Sequence, residues 1–212
     1  MSALAEYHDL LLPELPGCTV AMVNLHLRET AREFCQRTSA WRQALTAINT
    51  VASQAAYALA TPADSELVRV TELTVNDILL WRHNAREQAG TDSDALPAYD
   101  IDEPPFTLDG NLTTLTLATD EIPDAAVTGG LVVTAALKPT AAAATLPDFL
   151  LTQHSEAIRY GTLARLMKMK KPWGDRPLAM DYESRWNSAL NFAAYQAQVG
   201  YTRQPLRVKK HG

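Results

Sequence analysis

The spacing of apolar side chains changes twice along this chain, and those two changes restrict the architectures open to it. Over 20–41, Val23, Leu27, Ala31, Phe34 and Cys35 recur at intervals of three and four, the period of an amphipathic helix. From Ala44 onward β-formers and turn residues take over, with short strands expected at 45–51, 55–60, 67–75, 78–81, 111–118 and 131–137. Leu112, Leu115 and Leu117, for example, interleave with Thr113, Thr114 and Thr116, while Asn76, Asp77, Asp109, Gly110, Gly129 and Gly130 punctuate the runs. The helical period returns at Pro147. Thr145 with Asp148 three residues later reads as a helix start, and helices are expected over 147–169 and 178–199, with a turn at 170–177 around Trp173 and Gly174 and with Gly200 as the closing residue.

This order predicts an α+β fold: a helical bundle made from the N- and C-terminal segments, with an inserted antiparallel β-sandwich-like lobe. The expected organisation is a helical segment at 1–43, a β-rich lobe at 44–140, a helical hairpin at 145–200 completing the bundle, and a basic extended tail at 201–212. Phe34, Trp41, Phe149, Ile158, Trp173, Tyr182 and Trp186 are the expected packing residues. On the polar face of the first helix, Arg28 and Arg32 are expected to pair with Glu29, Glu33 and their neighbours. The acidic, proline-bearing stretch 86–105 reads as a loop with no assigned role.

Charge is distributed unevenly along the same boundaries. The 212 residues carry 19 Lys and Arg against 24 Asp and Glu, a net −5. Residues 1–150 hold 8 basic against 20 acidic side chains, or −12, whereas 151–212 hold 11 against 4, or +7. Either the two parts meet different surroundings, or they compensate each other within the molecule. Arg159, Arg165, Lys168, Lys170, Lys171 and Arg176 follow the penultimate helix and its turn, and Arg203, Arg207, Lys209 and Lys210 fill the tail. Helix-dipole compensation explains Arg165 and Lys168 as well as a phosphate contact does. The tail reads equally as a docking segment that orders on a partner or as a frayed terminus.

Apolar runs extend only a few residues, so no transmembrane helix is expected. No Lys or Arg precedes Arg28, the reverse of a secretory signal, and the chain is expected to remain in the compartment that makes it.

Motifs for chemistry are sparse. There is no phosphate-binding glycine loop, no H-E-x-x-H and no G-x-S-x-G. His8, His26, His83, His154 and His211 are dispersed without metal-ligand spacing, so no metal, cofactor or catalytic residue is assigned. Asp100, Asp102 and Glu103 read as a solvated cluster, with a weak cation site as the alternative. Cys35 lies on the apolar stripe; Cys18 with His26 leaves open a thiol hydrolase.

Several segments together resemble one family. Leu-Leu-Pro-Glu-Leu-Pro-Gly-Cys18, the run from Arg28 to Trp41, Leu146-Pro-Asp-Phe-Leu-Leu, His154 with Glu156-Ala-Ile and Gly161, Lys171-Pro-Trp-Gly174, and Tyr182 followed by Trp186 are similar to the head-to-tail adaptor (connector, head completion) proteins of tailed bacteriophages, with a podovirus-like neck ring. The resemblance covers both ends of the chain and rests on packing and turn residues. It implies a non-enzymatic virion protein of the neck, assembled in the host cytoplasm, that forms a homo-oligomeric ring of twelve copies under the portal. Portal protein and tail or nozzle proteins would be its partners, and DNA would pass through the lumen without specific binding until genome ejection. No membrane is involved. On that view Arg203, Arg207, Lys209 and Lys210 dock the portal, and Arg159, Arg165, Lys168, Lys170 and Lys171 contact subunits or portal. A nucleic-acid-binding module using the basic C-terminal third is the alternative.

Overall fold

The computed structural model describes residues 1–82 and 104–199. The expected tail, Gly200 and most of the acidic stretch fall outside the described residues. Helices α1 (His8–Leu11), α2 (Val20–Thr38), α3 (Asp148–Thr152), α4 (Ser155–Met167) and α5 (Arg176–Val199) are joined by strands β1 (Ser2–Ala3), β2 (Arg42–Ala44), β3 (Ala56–Ala58), β4 (Ser65–Val75), β5 (Ile78–Arg82), β6 (Phe106–Leu108), β7 (Thr114–Leu117), β8 (Leu131–Pro139) and β9 (Thr145–Leu146). The fold is α+β, and every strand pairing is antiparallel. The strands form a four-stranded sheet ordered β2-β8-β4-β5, a three-stranded sheet ordered β3-β7-β6, and a two-stranded ribbon of β1 and β9.

Helix α2 connects these parts. Its stripe of Val23, Leu27, Ala31, Phe34 and Cys35 is fully buried, each large side chain contributing on the order of 2 kcal/mol of apolar burial. It packs against β8 on one side and against α4 and α5 on others, so helices and sheets share one continuous core. The helix opens on Thr19, whose hydroxyl accepts from the Met22 N–H. It ends at Thr38, three residues before the end expected from periodicity, because Ser39 turns left-handed at φ 52°. That conformation is unfavourable for a serine, and Arg69 Nε donating to Ser39 Oγ at 2.9 Å helps hold it.

A second clamp joins α2 to the sheet. The Arg32 guanidinium donates to both Glu66 carboxylate oxygens, at 3.0 and 3.1 Å, and to the Pro139 carbonyl at 2.7 Å. This corrects the pairing expected within the helix: Arg32 reaches β4 and β8, while Arg37 with Glu33 and His26 with Glu29 pair along α2. A bidentate guanidinium–carboxylate pair is geometrically more demanding than an i,i+4 contact, and the fold supplies that geometry.

β4 and β5 meet through the two-residue turn Asn76-Asp77, both at positive φ (48° and 67°), as a tight hairpin between right-twisted strands requires. Shifts of register on β4 against β8 and β5 add local twist.

Two further corrections concern the C-terminal helices. Thr145 does not start a helix; it pairs with Ala3 in the β1–β9 ribbon, and Asp148 at the head of α3 accepts the Ser2 hydroxyl at 2.8 Å. Strand pairing has claimed the backbone of the would-be cap. The helix expected over 147–169 is two helices, broken at Gln153 and His154, where His154 leaves helical geometry at φ −128°, ψ 21°. Its ring packs 4.8 Å from Phe34 and 5.8 Å from Phe149, centroid to centroid. Phe34, Trp41, Ile158, Tyr182 and Trp186 are buried, and Phe149 and Trp173 pack half-buried against the core.

At Gly161, α4 approaches both neighbours closely. A Cβ there would lie 2.6 Å from Thr30 Cγ2 and 2.8 Å from Trp186 Cε3, so only glycine lets α2, α4 and α5 close on one another.

Candidate functional site

The basic residues of the C-terminal block divide into two groups. Arg159, on α4, reaches back to the N-terminal segment: its Nε donates to Glu14 Oε1 at 3.1 Å, a terminal guanidinium nitrogen donates to the same oxygen, and the Tyr182 hydroxyl donates to the other. Burial alone would raise the Glu14 carboxyl, but the hydrogen bonds from Tyr182 and Arg159 and the guanidinium charge outweigh it and hold it below its ordinary value. Burial, with the adjacent carboxylate, pushes the Tyr182 hydroxyl up to about 12. Arg165, two turns on, pairs with Glu33 and lies 3.5 Å from Glu29. Both arginines thus staple α4 to preceding segments.

The second group sits on the turn between α4 and α5. Met169 N–H donates to the Leu166 carbonyl at 3.2 Å, Lys171 N–H to Met169 at 2.9 Å and Gly174 N–H to Lys171 at 2.8 Å. A Cβ on Gly174 would come within 2.1 Å of the Met169 carbonyl oxygen, so this compact turn requires glycine. Asp175 then caps α5, accepting the Leu178 N–H at 3.0 Å. Lys168 Nζ meets Glu183 at 2.6 Å. Lys170, Lys171 and Arg176 take part in no ion pair among the described residues, and all three are exposed. The turn encloses an open hollow of about 1020 Å³, with Met167, Met169 and Met180 among its lining side chains.

A third feature was absent from the expected site. From Trp186 to Val199, α5 carries no charged residue, yet Phe192 and Tyr195 are 63% and 54% exposed. The signal is legible in the sequence as a charge-free run, and the stripe of Tyr182, Trp186, Ala189, Leu190, Ala193 and Ala197 expected from helical spacing packs inward, which leaves Phe192 and Tyr195 on the outer face.

Of the other candidates, Cys35 is fully buried and burial pushes its thiol up. Burial also raises Cys18, whose thiol contacts the Thr19 carbonyl, while His26 Nδ1 is engaged 2.9 Å from Glu29. A raised thiol, with His26 committed to Glu29, is the opposite of an activated nucleophile. Asp100, Asp102, Glu103, Arg203, Arg207, Lys209 and Lys210 lie outside the described residues. Among the described residues no group of three or more His, Cys, Asp or Glu could hold a metal ion, and no helix is long and apolar enough to cross a membrane.

An α+β chain whose basic block is part internal staple and part exposed turn, and whose last helix ends in an uncharged face with exposed aromatics, has the surface chemistry of an assembly protein. The sequence profile of the family described as SU10 adaptor protein matches residues 8–209, nearly the whole chain; the chain belongs to this family and is a bacteriophage head-to-tail adaptor protein. The family implies a place in the virion neck. None of the curated proteins matches it.

Proposed function

We propose that this adaptor forms a closed homo-oligomeric ring, of twelve copies by family analogy, beneath the portal, where it retains packaged DNA and presents the surface on which tail or nozzle proteins dock. The family match across residues 8–209 carries this reading. The acidic balance of residues 1–150 suits a lumen that lets phosphates slide without sticking. A ring of identical subunits requires heterologous contacts, each subunit offering one face to a different face of the next. The uncharged helix face with Phe192 and Tyr195 suits one side of such a contact, being rich in aromatics and free of charge.

Portal docking falls to Arg203, Arg207, Lys209 and Lys210 of the tail, with Lys168, Lys170 and Lys171 contributing from the turn. Arg159 and Arg165 keep a part in subunit contact only insofar as their intramolecular pairs leave a guanidinium edge free. Electron microscopy of the protein mixed with purified portal is the test, with rings seated on the portal vertex expected. Removal of 201–212 should leave the fold intact and abolish that seating; unchanged portal affinity in the truncated chain removes the tail from the proposal.

A further inference from the structure

We propose that the hollow at the α4–α5 turn is a docking site for an acidic peptide segment of a partner protein, one that carries an apolar anchor residue flanked by carboxylates. This deepens the adaptor reading above, since it names the chemistry of the partner that the turn lysines contact.

Charge comes first. Lys168, Lys170, Lys171 and Arg176 surround the hollow, and Glu183 is the one carboxylate in its lining. Glu183 is held by Lys168, so the remaining cations meet no carboxylate among the described residues, and an acidic ligand is the complement. The Lys168–Glu183 contact also shows that this rim accepts a carboxylate at hydrogen-bonding distance.

Shape and lining then select the kind of anion. The hollow, about 1020 Å³, is at the upper end of the range of small-ligand sites and large enough for several residues of an extended peptide. Three methionines line it: Met167 is buried, Met169 half-buried and Met180 64% exposed. Methionine is unbranched and polarizable and adapts to varied apolar partners. A nucleic-acid backbone gains nothing from a thioether floor, whereas an apolar side chain set between carboxylates uses both floor and rim. The rim is mostly lysine, which binds a carboxylate as a point charge without demanding the bidentate geometry of arginine. Gly174 keeps the turn compact, so Lys170 and Lys171 are presented from a fixed loop whose entropy is already spent.

Fluorescence anisotropy of the full-length protein with a labelled peptide, Asp-Glu-Leu-Phe-Glu-Asp, at low salt tests this. Saturable binding is expected, weakened at least tenfold by the double substitution Lys170→Glu with Lys171→Glu, and likewise by Met180→Asp. A peptide with Leu and Phe replaced by Ser should bind at least tenfold more weakly. These positions are exposed, and circular dichroism checks that each variant remains folded. No saturable binding, binding indifferent to both variants, or equal binding of the serine peptide overturns the proposal. So does tighter binding of a 20-base-pair duplex that the lysine reversals abolish, which assigns the rim to nucleic acid, or self-association lost in the same variant, which assigns it to a second copy. Portal seating by electron microscopy is read separately. Intact seating without peptide binding defeats this site alone, and peptide binding without seating defeats the ring reading alone.

Discussion

Arg159 and Arg165 lie within a dozen residues of Lys170 and Lys171, yet the fold treats the two pairs in opposite ways. The arginines project from α4 toward Glu14, Glu29 and Glu33, where the carboxylates are half-buried and the pairs fasten one segment to another. The lysines lie exposed on a turn and meet no carboxylate among the described residues. A block of positive charge in a sequence is therefore two quantities: charge consumed in holding the molecule together and charge offered to something else. The division of −12 against +7 at Leu150 counts both together, and several of its acidic members are the partners of its basic ones.

The comparison can be broken most severely between the two arginines. Gly161→Val forces a side chain into Thr30 and Trp186, separates α4 from α2 and α5, and should cost about 3 kcal/mol in urea unfolding. A loss below about 1 kcal/mol would show that the three helices are not closed as described. Next, Arg159→Ala leaves the Glu14 carboxylate half-buried without its cation and should cost about 2 kcal/mol, measured the same way.

Acid sharpens the same distinction. The Glu14 and Glu66 carboxyls are held below their ordinary values, Glu66 chiefly by hydrogen bonds from Arg32. A depressed carboxyl contributes stability that is complete above its unfolded pKa, near 4.5, and is lost as pH falls through the lower folded value. Burial lowers His154, a base, so the folded protein resists its protonation and stability begins to decline below about pH 6.5. Midpoints of urea unfolding should fall from pH 7 to pH 5 and more steeply from pH 5 to pH 3. His154→Phe should flatten the first interval and Glu14→Gln the second; identical slopes in wild type and variants would separate these residues from the pH response. The smallest effect is expected at the turn. Lys170→Ala and Lys171→Ala should each change stability by less than about 0.5 kcal/mol, since neither holds an ion pair among the described residues.

Much of the architecture was legible because a buried stripe must repeat with the period of its element. α2, the long β4 and β8, and α5 all appear near their expected positions for that reason. The break at His154 was not legible, since Ala157 and Ile158 resume the apolar pattern after Leu150 and Leu151 without changing its spacing. The short helical turns between Leu4 and Glu14 contain too few residues to show any period. The Arg32–Glu66 clamp spans 34 residues, and no local rule connects its ends. At the candidate site, the lysines were visible as a basic run, but their meeting with Met180 and Glu183 depends on how α5 folds back along α4.

The β1–β9 ribbon sets an order on the chain's emergence from the ribosome. Ser2 and Ala3 are made before their partners Leu146 and Thr145, which follow more than 140 residues later, roughly ten seconds or more at ordinary rates of synthesis. During that interval the first strand has nothing to pair with. A strand made early is thus fixed late, and the closing of the ribbon marks the moment when β1 and β9 are both in place.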